Sequence, residues 1–536
     1  MRKIVVALAG LLSLSLLAGP AYGASKNVEL LDNLPEAKNA TAINFLEYGK
    51  DRGDDDDDDD GDDDRRGHAS GGRRGSSDVM LVTGRFGLKS YSLRDPANPT
   101  FLDEITAEEL RLPGDPPVDF TPDSAPRSTF WQNEDMDVDQ DRKLALLSRD
   151  PRAYAGTTAG DPNPNPPAGS PTNIAGVYVI DARDPERLRL LSFQQLPTGH
   201  TTTCVNDCEW LWTGGPAAST TQQRPPLNWT FGRPIIVTDL SNPRRPRAFP
   251  MDPVDLFRRD GATAYSHDVQ VDDAGTRGYW TEGRHFDPLE GRRRRATALD
   301  PIPYAGGGLP ASVTGDTTGG FEHNAWRPVG RDAPRGDSRY RRGELLLATE
   351  EDFGPATEAC ANRGQFTIAS LAGSFNGEAW RSTPASPFRL QTVGKWSPAG
   401  KEGSRPVGGP YNPLANFCSA HYFDVDGSTV TYAWYGEGTR FLDISNPANP
   451  TQFAYWRPED GIVWASYMHD GYVYTADRTR GVDVLRLTGG ATVARAASRE
   501  VSAPPPSKRQ LSFLDRASRQ FTTDPGTAGI CLIEVR

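Results

Sequence analysis

The sequence predicts an all-β fold, a seven-bladed β-propeller closed by an N-terminal strand, and three observations carry that prediction. With 54 Gly and 45 Pro in 536 residues, nearly one position in five resists a helix interior, which argues against a helix-rich architecture. An apolar strand followed by Asp or Asn, then Pro, then a second apolar run occurs four times: GLKSYSLRDPANPTFLDEI from Gly87, GVYVIDARDPERLRLLSF from Gly176, PIIVTDLSNPRRPRAFP from Pro234 and TRFLDISNPANPTQFAYW from Thr439. A His heads an alternating strand in five places, at His200, His267, His323, His421 and His469, with Glu134 holding that place in an earlier copy. Four short strands per unit, with a period that only loop insertions stretch, are the sequence signature of a propeller blade.

Residues 1 to 23 read as a secretory signal. Arg2 and Lys3 precede an apolar run from Ile4 to about Ala18, and the small-residue pattern Ala21-Tyr22-Gly23 follows. No later stretch approaches the roughly 20 apolar residues of a membrane span, so the mature chain is expected to be exported, in the medium or the cell envelope, with no transmembrane anchor. The propeller is expected over residues 24 to 488. Blade 1 uses ATAINFLEY, DVMLVTG and the first Asx-Pro unit; blade 2 starts at Glu134, blade 3 at His200, and blades 4 to 7 at the four later His. Blade 7 reaches only three strands, ending on GVDVLRL near Leu487, and NVELLDNL from Asn27 can supply the fourth. Pairing the two chain ends in this way removes open sheet edges. In each Asx-Pro unit the short polar side chain hydrogen-bonds the backbone and Pro removes a ladder donor, so one strand ends and the next returns antiparallel. Residues 489 to 536 are expected to form a partly disordered tail.

The net charge of −12 is local. Residues 51 to 64, DRGDDDDDDDGDDD, carry −10 and leave −2 for the rest, so neither a nucleic-acid footprint nor a generally acidic surface is present. That run, inside an insertion at 51 to 77, is expected to be a solvated disordered loop, and it lacks the interleaved spacing of a calcium loop. Arg292 to Arg295 read as a solvated insertion, and Arg335-Gly336-Asp337 as a chance match to an adhesion tripeptide. No Walker loop, Gly-x-Ser-x-Gly elbow or HExxH helix occurs. Of the five Cys, Cys204 and Cys208 flank the turn sequence Val-Asn-Asp and are predicted to bridge. Zinc shared by His200, Cys204 and Cys208 is the alternative, disfavoured because four residues of strand cover roughly 13 Å. Cys360 and Cys418 are a second candidate pair, which leaves Cys531 over.

The units GVYVIDARDP, PIIVTDLSNP and RFLDISNPANP resemble the LVIVD repeat of secreted bacterial β-propeller proteins, over about Asn27 to Leu487, although blades 4 and 5 lack a clean Asx-Pro unit. The resemblance implies a seven-bladed propeller and no settled activity. Function therefore has to come from the site.

In a propeller blade the loop into the innermost strand and the loop after the second strand open on the same face. The five His are therefore expected to converge at one mouth of the central channel with the acidic strand ends Glu282, Glu350, Glu437 and Asp477. Long insertions at 150–173, 214–233, 283–320 and 352–363 gather there too, and long loops on one face of a rigid scaffold usually carry binding. Imidazoles and carboxylates in this set suit a divalent transition metal. A structural reading competes, in which each His only ties neighbouring blade strands together, as repeated residues often do. The leading functional reading is a ligand- or protein-binding scaffold acting through its loop-rich channel face, with a small molecule, a glycan or a cell-envelope protein as partner and no nucleic acid. The alternative is a metal-dependent propeller enzyme, a hydrolase or oxidoreductase, using the His ring. An envelope structural or adhesion protein is the third.

Overall fold

The computed structural model describes residues 24–48, 78–115, 135–150, 174–196, 199–205, 208–214, 235–249, 266–271, 278–282, 285–287, 291–293, 296–299, 313–315, 321–331, 333–351, 364–370, 391–404 and 419–488. Residues 1 to 23, expected to be a signal, the Asp-rich run, Glu134, Cys360, Cys418, Cys531 and the C-terminal tail lie outside them.

The fold is an all-β propeller, with a single turn of α-helix at Ser338–Arg341 among the described residues. Sheet A comprises Ala40–Leu46, Val79–Gly84, Gly87–Ser92 and Thr100–Thr106; sheet B comprises Met136–Asp139, Leu144–Arg149, Ala175–Asp181 and Arg189–Leu196. Sheet C is built from Thr201–Val205, Trp210–Gly214, Ile235–Asp239 and Arg247–Phe249, and sheet D from Ser266–Val271, Gly278–Glu282, Ala296–Leu299 and Val313–Gly315. Sheet E takes Phe321–Trp326, Leu345–Glu351, Phe366–Ser370 and Gln391–Trp396. Sheet F has Phe423–Asp426, Thr429–Ala433, Thr439–Asp443 and Thr451–Arg457, and sheet G has Val463–His469, Tyr472–Asp477 and Gly481–Leu487. Within each sheet consecutive strands pair antiparallel, and the first-named strand is the inner one. A small hairpin, His285–Asp287 with Gly291–Arg293, holds Arg292 and Arg293 between the second and third strands of D.

The N-terminal segment serves two sheets. Val28–Leu34 pairs with Gly481–Leu487 and gives G its fourth, outer strand, so the two ends of the described chain are joined as the sequence predicts. Ala24–Lys26 pairs with residues 455 to 457 and gives F a fifth strand. Between them Asn27 takes a left-handed φ of 54°, which Asn tolerates, and the chain steps from the edge of F to the edge of G. The expectation of seven four-stranded blades is therefore corrected: six sheets are four-stranded blades, and F is five-stranded. A second correction concerns His469. It ends the inner strand of G, which begins at Val463, rather than heading it.

The Asx-Pro units form the predicted turns. The side-chain oxygens of Asp95, Asp184, Asn242 and Asn446 each accept the backbone N–H two residues on, at 3.1, 3.2, 3.1 and 3.1 Å, between the third and fourth strands of A, B, C and F. The core lies between neighbouring sheets. Leu81, Leu88 and Ile105 of A meet Met136, Leu147 and Ile180 of B, while Trp326, Leu347 and Phe366 of E meet Tyr432, Trp434 and Leu442 of F. Asp residues bind the inner strands to one another. Asp137 of B accepts the Cys204 N–H of C at 2.6 Å, and Asp424 of F accepts the Met468 N–H of G at 2.9 Å. Asp thus shares, at these boundaries, the strand-tying role that the sequence offered to His, since His200 before the inner strand of C meets Asp150 after the second strand of B, and His421 before the inner strand of F meets the Trp464 carbonyl of G.

Candidate functional site

Two β-bulges set the site. The ladder of sheet E slips between Glu322 and Asn324 at His323, and that of G slips between Val463 and Ala465 at Trp464. A bulge re-aims a side chain and takes a carbonyl out of the regular ladder. His323 is fully buried and lies against His421, which precedes the inner strand of F, with ring centroids 3.9 Å apart. The carbonyl of Trp464 accepts a hydrogen bond from His421 Nδ1 at 2.6 Å. A carbonyl can only accept, so Nδ1 carries the proton and, in the neutral ring, Nε2 presents its lone pair. That nitrogen is 4.0 Å from Glu351 Oε1, and His323 Nε2 is 3.9 Å from Glu351 Oε2.

Glu351 is the last residue of the second strand of E and is buried. The Tyr435 hydroxyl donates a hydrogen bond to its Oε1. Tyr435 occupies the turn after the second strand of F with φ of 37°, a conformation that costs a bulky residue energy and tends to persist where surroundings over-determine it. The Tyr422 ring stands edge-on to both imidazoles, with centroids 4.7 and 4.8 Å away, and the Trp464 ring lies 4.5 Å from His421. One donor atom from each of His323, Glu351 and His421 lies within 4.8 Å of the others.

The remaining predicted residues separate from this group. His200, preceding the inner strand of C, is buried with Nδ1 2.8 Å from Asp150 Oδ2 of sheet B. His469, at the far end of its strand, places Nε2 3.0 Å from Asp78 and stacks on Phe45 at 4.2 Å. Glu350 points the other way from Glu351, as alternation along a strand requires, and accepts the Gln365 N–H at 3.4 Å. Glu437 forms a buried ion pair with Arg440 at 2.6 Å. Asp477 holds a turn: its Oδ1 accepts the N–H groups of Ile462, Thr479 and Arg480. Burial, with Asp483 nearby, pushes its carboxyl up to about 6. His267 and Glu282 lie in the inner and second strands of D, but their side chains fall outside the described residues.

Among the four His whose side chains are described, His323 and His421 gather with Glu351 in one buried group, while His200 and His469 stand in pairs of their own. Sequence reasoning marked Asp150 as an acidic strand end and missed Glu351, Tyr435 and Trp464. Two adjacent Glu end the strand ELLLATEE, and only the structure says which one stands beside the two His. Farther along the inner strands, burial and the neighbouring carboxylate of Asp268 hold Asp135 well above the usual carboxylate range, and burial raises Asp137. Cys204 and Cys208 form the predicted disulfide, with Cα atoms 4.4 Å apart.

No family model and no curated protein matches the chain. Among solved structures it is similar to the computationally designed Ika8 protein, at 7% identity over 76% of this chain and 92% of that one, with a TM-score of 0.37. It is also similar to Sqt1 from Chaetomium thermophilum, at 12% identity over 77% and 80% of the two chains and a TM-score of 0.38. Sqt1 bound to the N-terminus of the ribosomal protein L10 gives 13% identity, 76% and 80% coverage and a TM-score of 0.37. Likenesses this distant carry no argument about function.

Proposed function

We propose that this protein is an exported β-propeller of the LVIVD-repeat kind that binds a small ligand at the channel end where sheets E, F and G meet. The observation that carries the reading is the convergence of His323 and Glu351 of sheet E with His421 and Tyr435 of sheet F into one buried polar group. Core packing does not need such a group, and burying polar atoms costs free energy that apolar residues would not. Read as a blade despite its fifth strand, F would bring the six four-stranded blades to the seven that the repeat reading expects, with residues 28 to 34 closing the ring. The four Asx-Pro turns support the repeat reading, and the Cys204–Cys208 disulfide is compatible with export. No helix among the described residues is long and apolar enough to cross a membrane.

The test is a thermal-shift screen of chelator-treated mature protein against small carboxylates, phosphates, phenols and saccharides. At least one class should stabilise the wild type, and His323→Ala and Tyr435→Phe should remove that stabilisation. Stabilisation that survives both substitutions would place the ligand elsewhere and contradict the reading.

A further inference from the structure

We propose that His323, Glu351 and His421 bind one divalent first-row transition ion, as the inorganic part of the channel-end site proposed above. Two imidazoles and one carboxylate make a donor set found in metal centres that keep positions open for water or substrate. Calcium and magnesium fit poorly, because they call for oxygen ligands and two of these three donors are nitrogen.

The spacing points the same way. His200 and Asp150 meet at 2.8 Å, as a closed His–carboxylate pair does. Here the two His–Glu separations are 3.9 and 4.0 Å, too long for a hydrogen bond. Donors about 2.0 to 2.2 Å from one ion stand roughly 3 to 3.5 Å apart, so a small inward rotation of each side chain would complete the site. The surroundings match what a metal requires of its neighbours. The Trp464 carbonyl fixes the His421 tautomer with Nε2 as donor, and the Tyr435 hydroxyl orients Glu351. Asp78, His469 and Asp470 form a second three-donor group, but there His469 and Asp78 already meet at 3.0 Å and Asp470 is only half-buried, in a hairpin turn.

The experiment adds cobalt(II) to chelator-treated mature protein and follows the visible d–d absorption. The expected result is one equivalent bound, with the band lost in His421→Ala and Glu351→Gln and kept in Glu350→Gln. Tyr435→Phe preserves the packing and should weaken binding about 10- to 100-fold. It keeps the test valid if the other variants unfold. No band with the wild type, or a band unchanged in Glu351→Gln and Tyr435→Phe, would overturn the proposal. The organic-ligand screen uses metal-free protein, so a positive screen with no cobalt site would sink this inference and leave the binding reading standing.

Discussion

At the boundary of sheets B and C, Asp150 follows the second strand of B and meets His200, which precedes the inner strand of C, at 2.8 Å. At the boundary of E and F, Glu351 ends the second strand of E and stands 4.0 Å from His421, which precedes the inner strand of F. The repeat therefore places the same two chemical groups at the same kind of position twice. What differs is the company each pair keeps. At E–F a bulge adds His323, a strained turn adds Tyr435, and the Trp464 carbonyl takes the outer nitrogen of His421, so the carboxylate and imidazole stay apart with a third donor beside them. A repeated residue acquires a role from the boundary it faces, and its place in the repeat leaves that role open.

Three substitutions can break or sharpen this contrast. The largest effect belongs to sheet B beside its closed boundary, where Arg149 at the end of the second strand is fully buried and bidentate to Asp115 at 2.5 and 2.8 Å. Asp115→Ala removes the carboxylate that neutralises that guanidinium, which keeps its bonds to Tyr178 and the Ile174 carbonyl, and should cost about 3 to 5 kcal/mol in denaturant unfolding, with cobalt binding intact. Next, His200→Ala should cost about 1 to 3 kcal/mol, for an Asp150 left short of a partner, and should also leave cobalt binding unchanged. Were His200→Ala to abolish the cobalt band as His421→Ala does, the two boundaries would not differ as described. The smallest effect concerns Asp477, the strand-end acid of G. Its folded-state value of about 6 lies above the ordinary 3.8, so the folded chain keeps a proton that the unfolded chain has lost between about pH 4 and pH 6. Stability contributed by this group is thus lost as pH rises through that window. Asp477→Asn should raise stability at pH 8 by at most about 3 kcal/mol, with the gain fading towards pH 4. A pH-independent difference would show that the turn, and not the charge, sets its cost.

Much of the fold was legible because its signals are local. The Asx-Pro turns after Ser92, Asp181, Leu240 and Asp443, and the joining strand at residues 28 to 34, can be read from a few residues each. The fifth strand of F was not legible, because Ala24–Lys26 carries no apolar alternation and owes its pairing to the turn at Asn27. The site was half legible. His323 and His421 stand out by type and place, yet His469 looks the same in sequence and sits at the other end of its strand. Glu351 is hidden behind Glu350 by one residue, which in a strand is the difference between two faces. Trp464 acts through its carbonyl, freed by a bulge that no side-chain pattern announces.

The most direct test is anomalous diffraction at the zinc edge from crystals of the mature protein grown with one equivalent of zinc. The account predicts a single strong peak bonded to His421 Nε2, a Glu351 carboxylate oxygen and a His323 ring nitrogen. A peak at His200–Asp150, at Asp78–His469, or nowhere on the chain would contradict it.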